Sequence, residues 1–267
     1  MSSRDKILGR IRSALNVAPV QAVLPDVPTV WPVNDRSRDE LFREFETSLA
    51  AVGGETVACR SKEEAAERIS VLLKEIAVQE SSQAVSAVSA VLLPGLPAIG
   101  ISDRTIVTET LACADAFRDG ASDFQRFYAP EVSGDVSPQE VATFDASIIG
   151  AEYLLADTGS AVVASANVFD RMLCYLPPVC CVLATKRMLR EHLPSAWPEI
   201  CRRMKGEPTP EGALHPATCP DADPNVPIHQ LGEFLIVTGP SRTADIEKIL
   251  VMGVHGPKRL IVFVVGE

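Results

Sequence analysis

Two apolar stretches near the C-terminus decide the fold of this chain, Glu233-Phe-Leu-Ile-Val237 and Leu260-Ile-Val-Phe-Val-Val265. Both are short, continuous and rich in β-branched residues, which is typical of strands buried on both faces. Between them, the apolar residues from Ile246 to Val254 have helical spacing. Two strands joined by one helix form a βαβ unit, whose strands are parallel. The sequence therefore predicts a layered α/β sandwich with helices on both faces of a parallel sheet.

The chain before these strands shows the same alternation of helices and strands. Its apolar spacing and turn residues predict, in order, a helix over 39–51 that stops at Gly53-Gly54, a strand over 56–59, a helix opened by a capping box from Ser61 to Glu64, a strand near 85–93 and a helix that starts at Ser137. The pattern over residues 94–136 is the weakest in the chain.

The first 35 residues differ from the rest in composition. Residues 3–15 have apolar side chains on one helical face and basic side chains elsewhere, which predicts a short amphipathic helix. The prolines that follow favour an extended linker over 16–35, since proline removes backbone donors and biases its predecessor away from helix. We therefore expect an N-terminal arm over 1–35 and one α/β domain over 36–267.

The charge balance excludes several classes of function. The chain carries 25 basic and 35 acidic residues, a net charge of −10, and has no Lys/Arg cluster that could follow a phosphate backbone. We therefore expect no nucleic-acid partner.

No apolar run reaches the roughly 18 residues that suggest a membrane span, and the N-terminus opens with charges rather than an apolar signal core. These features predict a soluble, cytoplasmic protein.

The seven cysteines are scattered and odd in number, which predicts reduced thiols rather than a disulfide framework. No Cys-x-x-Cys pair is present, so an iron–sulfur cluster would have to sit on a partner protein. The loose set Cys201, His215, Cys219 and His229 matches no zinc spacing, and we assign no metal ligand.

The stretch Ala156-Asp-Thr-Gly-Ser160 has the local pattern found around the catalytic aspartate of aspartic proteases. Those enzymes need two carboxylates that share a proton, whereas this chain has a single Asp-Thr-Gly. Asp-Thr-Gly is also a good turn sequence, because aspartate bonds the backbone that follows it and glycine accepts a positive φ. We therefore predict a hairpin between residues 153–156 and 161–164, in which Asp157 is mainly structural.

A second turn, Thr238-Gly-Pro-Ser-Arg-Thr243, lies between a predicted strand and the predicted C-terminal helix. At such a position, free backbone donors and the helix dipole favour an anion, and Arg242 could add a bidentate clamp for carboxylate or phosphate. Alternatively, Ser241 or Thr243 caps the helix and Arg242 pairs with a neighbouring carboxylate. The spacing leaves both interpretations open.

These motifs carry a family resemblance. Thr238 to Glu247, followed by Val251-Met-Gly-Val-His-Gly-Pro257, resembles the C-terminal signature of the lactate utilisation protein C family, also called the LutC/YkgG or LUD-domain family. Ala156 to Ser160 is similar to that family's Ala-Glu/Asp-Thr-Gly-Thr/Ser segment, and Arg171 and Leu176-Pro177 fit its Arg and Leu-Pro positions. The resemblance covers nearly the whole chain, with its strong motifs after about residue 145.

The resemblance implies a fold similar to the NagB/RpiA/CoA-transferase group, a three-layer α/β/α sandwich with a mainly parallel sheet. It also implies a role in oxidising L-lactate to pyruvate together with two partner proteins, at least one of which carries iron–sulfur clusters. The chain has no visible flavin, nicotinamide or cluster motif to accept the electrons. We therefore expect it to bind no cofactor itself.

Two other function classes remain open at this point. The superfamily resemblance includes stand-alone enzymes that act on phosphorylated or acyl-CoA small molecules, although a fold does not by itself imply an activity. A non-catalytic assembly or regulatory subunit, docked through the helix over 3–15, is a third interpretation. The sequence also leaves a homo-oligomer open.

Our hypothesis for the site combines the two turns, which would bind the carboxylate or phosphate of a small molecule between them. The residues assigned to anion binding are Gly239, Ser241, Arg242, Thr243, Thr158, Gly159 and Ser160. Asp157 and His255 are the candidate catalytic residues. The ordinary pKa of histidine lies near neutral, which suits a proton acceptor, but His255 could instead cap carbonyl groups at a helix end.

Overall fold

The computed structural model describes residues 3–15, 34–80, 96–118, 123–128, 137–165, 168–204, 233–244, 250–252 and 256–266. The chain divides into two compact units, residues 1–32 and 33–267. In the first unit the predicted amphipathic helix is present as α1 (Ser3–Leu15), and its Ile7 side chain is exposed. Residues 16–33 of the predicted linker lie outside the described residues. Among the helices in the described ranges, none is long and apolar enough to cross a bilayer.

Six parallel strands, numbered in chain order, form the central sheet of the second unit. Their spatial order is β1 (Glu55–Cys59), β12 (Arg259–Val265), β7 (Val179–Thr185), β4 (Ala146–Gly150), β2 (Ala98–Ile101) and β3 (Gln125–Tyr128). Every neighbouring pair is parallel, which agrees with the predicted parallel sheet.

The side chains of the two middle strands β7 and β12 alternate between two separate cores. One core receives Val179, Cys181, Leu183, Ile261, Phe263 and Val265, and the other receives Cys180, Val182, Ala184, Leu260, Val262 and Val264. Helices α3 (Lys62–Glu80) and α4 (Thr105–Leu111) cover the first core, and α2 (Arg38–Ala51) and α6 (Val168–Leu173) cover the second. The predicted three-layer α/β fold with a mainly parallel sheet is confirmed.

A second, smaller sheet packs against the core that α2 and α6 cover. Its spatial order is β8 (Leu189–Arg190), β5 (Tyr153–Leu155), β6 (Ser160–Ser165) and β9 (Glu233–Val237). Strands β5 and β6 form the predicted hairpin. The outer face of this sheet is covered by α7 (Leu193–Met204), through Ala196 and Ile200.

The predicted C-terminal βαβ unit is wrong. Both strands exist, but β9 pairs antiparallel with β6 in the smaller sheet, whereas β12 lies between β1 and β7 in the larger one. The predicted helix between them is also wrong where the chain is described, because β10 (Arg242–Ala244) and β11 (Leu250–Met252) form an antiparallel pair. The backbone register places Thr243 opposite Val251, and β-branched residues of this kind favour strands over helices. Residues 245–249 and 253–255 lie outside the described ranges.

Local capping explains where the helices begin. Ser137 and Glu140 form a complete capping box at the start of α5 (Pro138–Val141), as the sequence predicts. At the start of α3, Ser61 Oγ accepts from Glu64 N (3.4 Å), but the Glu64 carboxylate accepts from Arg60 N (2.8 Å) rather than from Ser61. The predicted box at Ser61 is therefore only half formed.

The weakly patterned region over 94–136 contains β2, α4 and β3, which the sequence leaves unassigned. Strand β2 is buried along its whole length, and α4 follows it after three residues. The strand predicted near 85–93 lies outside the described residues.

We predict that the replacement Ile261→Ala lowers the free energy of unfolding by about 2–5 kcal/mol, because it leaves a cavity in the core between the central sheet and α3. The matched control is Ile236→Ala on β9, where the isoleucine is 48% exposed and the expected loss is below about 1 kcal/mol. Urea unfolding followed by circular dichroism measures both. Equal losses for the two variants would contradict the two-core arrangement.

Candidate functional site

The segment Asp157-Thr158-Gly159-Ser160 forms the turn between β5 and β6, as predicted. Gly159 has a φ of 64°, in the left-handed region that side chains disfavour. A Cβ atom at Gly159 would also overlap the backbone of Leu49 in α2. The turn therefore requires glycine both for its conformation and for its close approach to α2.

Three hydroxyl groups connect this turn to the second predicted turn. Ser160 Oγ lies 2.8 Å from Thr158 Oγ1 and 2.9 Å from Thr238 Oγ1. Thr158 Oγ1 in turn lies 3.2 Å from Asp157 Oδ1. Ser160 is buried, whereas the other three residues are exposed. The two turns, which are far apart in sequence, are thus in direct contact.

The second turn also packs on the last turn of α2. A Cβ atom at Gly239 would lie 3.0 Å from Val52 Cγ2, and one at Gly53 would lie 2.5 Å from Arg242 Nη2. Both turns therefore rest on the same end of α2. We call this arrangement the α2 corner; it comprises residues 49–53, 157–160 and 238–242.

Helix α2 ends at this corner in a Schellman motif. Gly54 N donates to Leu49 O and Gly53 N donates to Ala50 O, both at 2.9 Å, and Gly53 has a φ of 82°. The carboxyl end of a helix carries a partial negative charge, which stabilises a nearby cation. Arg242, whose guanidinium lies near Gly53, therefore also stabilises the end of α2. Its side chain nevertheless remains exposed.

The electrostatic basis predicted for anion binding by the second turn is wrong. Arg242 and Thr243 belong to β10, so the described residues provide no helix N-terminus there. Ser241 N donates to Pro257 O at 2.8 Å and is not available to a ligand. An anion at the α2 corner would therefore depend on the Arg242 side chain. His255, the second catalytic candidate, lies outside the described residues.

His192 has a structural role that the sequence analysis did not assign. Its backbone N donates to Ser195 Oγ (3.2 Å), and its Nδ1 accepts from Ser195 N (3.1 Å), so the two residues cap the start of α7. An accepting Nδ1 means that the proton of the neutral ring is on Nε2. The histidine is buried, in agreement with a capping role.

The sequence analysis also missed a buried ion pair between Arg104 and Glu152. Arg104 directly precedes α4, and Glu152 lies at the point where the chain leaves the central sheet for the smaller one. Burial lowers the pKa of the Arg104 guanidinium, and the carboxylates of Asp170 and Asp103 oppose that shift. A charged residue just after each of two apolar strands was the signal that could have found this pair.

Gly150 makes room for the Arg104 side chain. A Cβ atom at Gly150 would lie 2.8 Å from Ile106 Cγ2 and 3.0 Å from Arg104 Cβ. Glycine at the carboxyl end of β4 thus allows the start of α4 to approach the sheet closely.

The ion pair and the α2 corner are at opposite ends of the β5–β6 hairpin. Glu152 precedes β5, whereas the Asp157–Ser160 turn follows it. Glu152 N donates to Val162 O, so the backbone of Glu152 meets β6 two residues from Ser160, roughly 7 Å at the usual rise per residue. The described contacts show no hydrogen bond or ion pair between the two groups of polar residues.

The buried cysteines are poor candidates for metal binding. Burial raises the pKa of Cys174, Cys180 and Cys181, that of Cys180 to about 12. Metals bind the thiolate, so these protonated thiols are inert at neutral pH. Of the loose set named above, only Cys201 is within the described residues, where it is a free thiol.

Comparisons with known proteins identify a family, a sequence relative and a solved structure with some similarity. The family model of the LUD domain matches residues 42–265. A protein named "Lactate utilization protein C" from Bacillus pumilus (strain SAFR-032) is 27% identical over 121 residues, which are 45% of this chain and 42% of that protein. The chain thus aligns with less than half of that relative's length. A crystal structure of a DUF162 family protein from Deinococcus radiodurans is similar over 86% of this chain and 99% of that one, with 14% identity and a TM-score of 0.43.

We expect Gly159→Ala to destabilise the protein by roughly 1–3 kcal/mol, because alanine is strained at this φ and its Cβ collides with α2. The control is Gly266→Ala, whose Cβ would make an ordinary contact 3.4 Å from Cys59 O. Thermal unfolding compares the two variants. If Gly159→Ala unfolds at the temperature of the control, the close packing of the turn on α2 is disproved.

Arg104→Met should cost about 3–5 kcal/mol of folding stability, because it removes the cation that faces the buried Glu152 carboxylate. The double variant Arg104→Met, Glu152→Leu should recover part of that loss, since it removes one of the carboxylates that face the lost cation while the buried Asp170 remains. Urea unfolding of both variants gives the comparison. A double variant no more stable than Arg104→Met would argue against a buried pair.

Proposed function

The chain belongs to the LUD-domain family, and from this premise we propose that it is a component of an L-lactate utilisation system that oxidises L-lactate to pyruvate. The observation that carries the proposal is its likeness to the protein named Lactate utilization protein C. Because that likeness covers 45% of this chain, the substrate and the reaction are proposals for it.

We propose the α2 corner as the place where the small carboxylate binds. The exposed Arg242 guanidinium supplies a cation with several N–H donors, which suit a carboxylate. Thr158 and Thr238 are exposed residues of the same corner, and their hydroxyls belong to a chain of hydrogen bonds that reaches Asp157. A cation and neutral hydroxyls within one corner fit a small acid that also carries a hydroxyl or carbonyl oxygen.

The oxidation of lactate releases two electrons and two protons, and we propose that different groups receive them. The chain has no Cys-x-x-Cys pair for a cluster, so iron–sulfur partner proteins are the proposed electron acceptors. On this chain, Asp157 is an exposed carboxylate at the end of the hydroxyl chain and is the proposed acceptor of the hydroxyl proton, while the proton from C2 would be released to water. His255 stays the alternative proton acceptor.

A second candidate function is that of an assembly subunit without catalytic residues. The observation in its favour is α1, an amphipathic helix on which Ile7 is 59% exposed. An exposed apolar side chain between basic residues suits a helix that docks on a partner. In that case the chain would bind the iron–sulfur proteins but contribute no residue to turnover.

The deciding assay measures L-lactate-dependent reduction of a dye by the purified chain, alone and with its candidate iron–sulfur partners. We expect turnover only in the mixture. Arg242→Ala should lower kcat/KM for L-lactate at least about tenfold, because the carboxylate loses a charged hydrogen-bond partner. The control is Arg118→Ala, an exposed arginine paired with Asp115 on the surface, which should leave the rate unchanged.

Other outcomes of this assay reject the proposal in distinct ways. Turnover by the chain alone would identify a stand-alone enzyme. Co-elution with the partners in gel filtration, together with full activity of Arg242→Ala, would support the assembly subunit. Absence of lactate-dependent turnover in every mixture would contradict a role in lactate oxidation.

A further inference from the structure

The segment that precedes α2 is attached to the domain through Glu191. Asn34, which lies within the predicted linker over 16–35, donates to that carboxylate twice, from its backbone N to Oε2 (3.0 Å) and from Nδ2 to Oε1 (2.8 Å). Arg36 Nη1 lies 3.6 Å from Glu191 Oε1 and 2.5 Å from Glu44 Oε2 on α2. We call the contacts of Asn34 and Arg36 with Glu191 the clasp.

The backbone of Glu191 supports the Asp157 turn. Strand β8 pairs in parallel with β5, and the pairing continues beyond both strands. Ala156 N donates to Arg190 O (2.9 Å), and Asp157 N donates to Glu191 O at 3.0 Å. Glu191 thus holds Asn34 with its side chain and Asp157 with its carbonyl oxygen, so one residue connects the clasp to the turn.

The residues on both sides of Glu191 have anchors of their own. Before it, Arg190 forms an ion pair with Glu199 on α7 (2.7 Å), and after it, His192 caps the start of α7. Because β8 is only two residues long, its ladder with β5 contains few hydrogen bonds. The position of this segment therefore depends on side-chain contacts, and at Glu191 itself the clasp supplies them.

The Glu191 carboxylate is suited to keep the clasp closed. Its side chain is 11% exposed, so water has limited access to replace the donors that Asn34 provides. The hydrogen bonds from Asn34 hold the pKa of this carboxyl below its usual range, against the effect of burial, and His192 and Arg36 act in the same direction as Asn34. The group is therefore ionised at neutral pH and accepts from both N–H groups of Asn34.

We propose that Asn34 and Glu191 are positioning residues for the Asp157 turn, so that the segment before α2 takes part in the candidate site. While the clasp is closed, the Glu191 carbonyl group fixes the backbone that carries the Asp157 carboxylate. When the clasp opens, Glu191 turns to water for donors, and the Asp157 amide loses its fixed acceptor. The inference rests on the proposed function, in which Asp157 accepts the proton of the substrate hydroxyl.

The clasp can be broken and rebuilt with little change of shape. Asn34→Asp replaces the Nδ2 donor by a carboxylate, which repels that of Glu191. Glu191→Gln alone leaves one acceptor oxygen for the two donors of Asn34. In the double variant the new amide donates to the new carboxylate, so donor and acceptor are exchanged and the side-chain hydrogen bond returns. Gln139→Glu, at an exposed position of α5, is the matched control, because it changes an amide into a carboxylate away from the clasp.

Hydrogen exchange of the full chain, followed at single amides by NMR, tests the proposal. We expect Asn34→Asp to speed exchange at the Asp157 amide about tenfold, the usual effect of one lost hydrogen bond on a local opening. The amide of Val262, fully buried in the central sheet, should change by less than about twofold. Glu191→Gln should give a smaller increase at Asp157, and the double variant should reverse it. The control variant should leave both amides unchanged.

Turnover in the reconstituted mixture gives a second readout. Asn34→Asp should lower kcat for L-lactate about tenfold and change KM by less than about twofold, because the proton acceptor is displaced while Arg242 still binds the carboxylate. The double variant should recover kcat. A clasp that contributed only to overall stability would leave kcat of the folded protein unchanged.

The proposal is overturned if Asn34→Asp leaves exchange at Asp157 unchanged, if the double variant does not restore it, or if kcat is unaffected in an active mixture. Equal acceleration at Val262 would also overturn it, since that result reports global unfolding. Circular dichroism checks that each variant is folded, and Glu191→Gln provides the test if Asn34→Asp is not.

The exchange measurement needs no substrate, so its failure rejects this inference and leaves the proposed function standing. Exchange at Asp157 that depends on the clasp, without lactate turnover in any mixture, would support the positioning of the turn and reject the proposed function.

Discussion

The burial of β7 and β12 on both faces is the constraint on which the rest of the structure depends. These two neighbouring parallel strands are apolar at every position of their shared length except the ends, so their side chains must enter two different cores. Each core needs its own cover, which α3 and α4 supply on one face and α2 and α6 on the other. The three layers follow from this requirement, because a strand buried on both faces is stable only between two covering layers.

The central strands β7 and β12 also determine where the smaller sheet begins. Strand β4 pairs with β7, and Ala151 N still donates to Leu183 O (2.9 Å) beyond the end of β4. The next residue, Glu152, donates from its N to Val162 O (2.7 Å) and so belongs to the smaller sheet. The Arg104–Glu152 ion pair is buried at this junction. Burying either charge alone between the two sheets would cost several kcal/mol of folding free energy. The pairing of Arg104 with Glu152 therefore allows both charged residues to lie at this junction.

The polar chemistry that remains accessible is at the other end of the hairpin. Three segments meet there through glycines, because Gly159 approaches the end of α2 more closely than a side chain allows and Gly239 lies close to Val52. Ligands of open α/β sheets often bind outside the carboxyl ends of the parallel strands, but beyond β2 and β4 that position is taken by the Arg104–Glu152 pair. The exposed groups of the α2 corner make it the better candidate for a ligand.

The sequence by itself determined the elements whose signals are local. Caps, turn residues and apolar runs within a few residues of each other predict these elements. They are helix α2 and its stop at Gly53, strand β1, the β5–β6 hairpin, α5 with its capping box, and strands β9 and β12. Only the tertiary structure decided that β9 joins the smaller sheet, that residues 242–244 and 250–252 are strands, and that Arg104 meets Glu152. For the site, the sequence identified the two turns, whereas their contact through Ser160 and Thr238 and their packing on α2 required the fold. The physical reason is that strand pairing and buried charges are stabilised by residues distant in sequence, which no local pattern specifies.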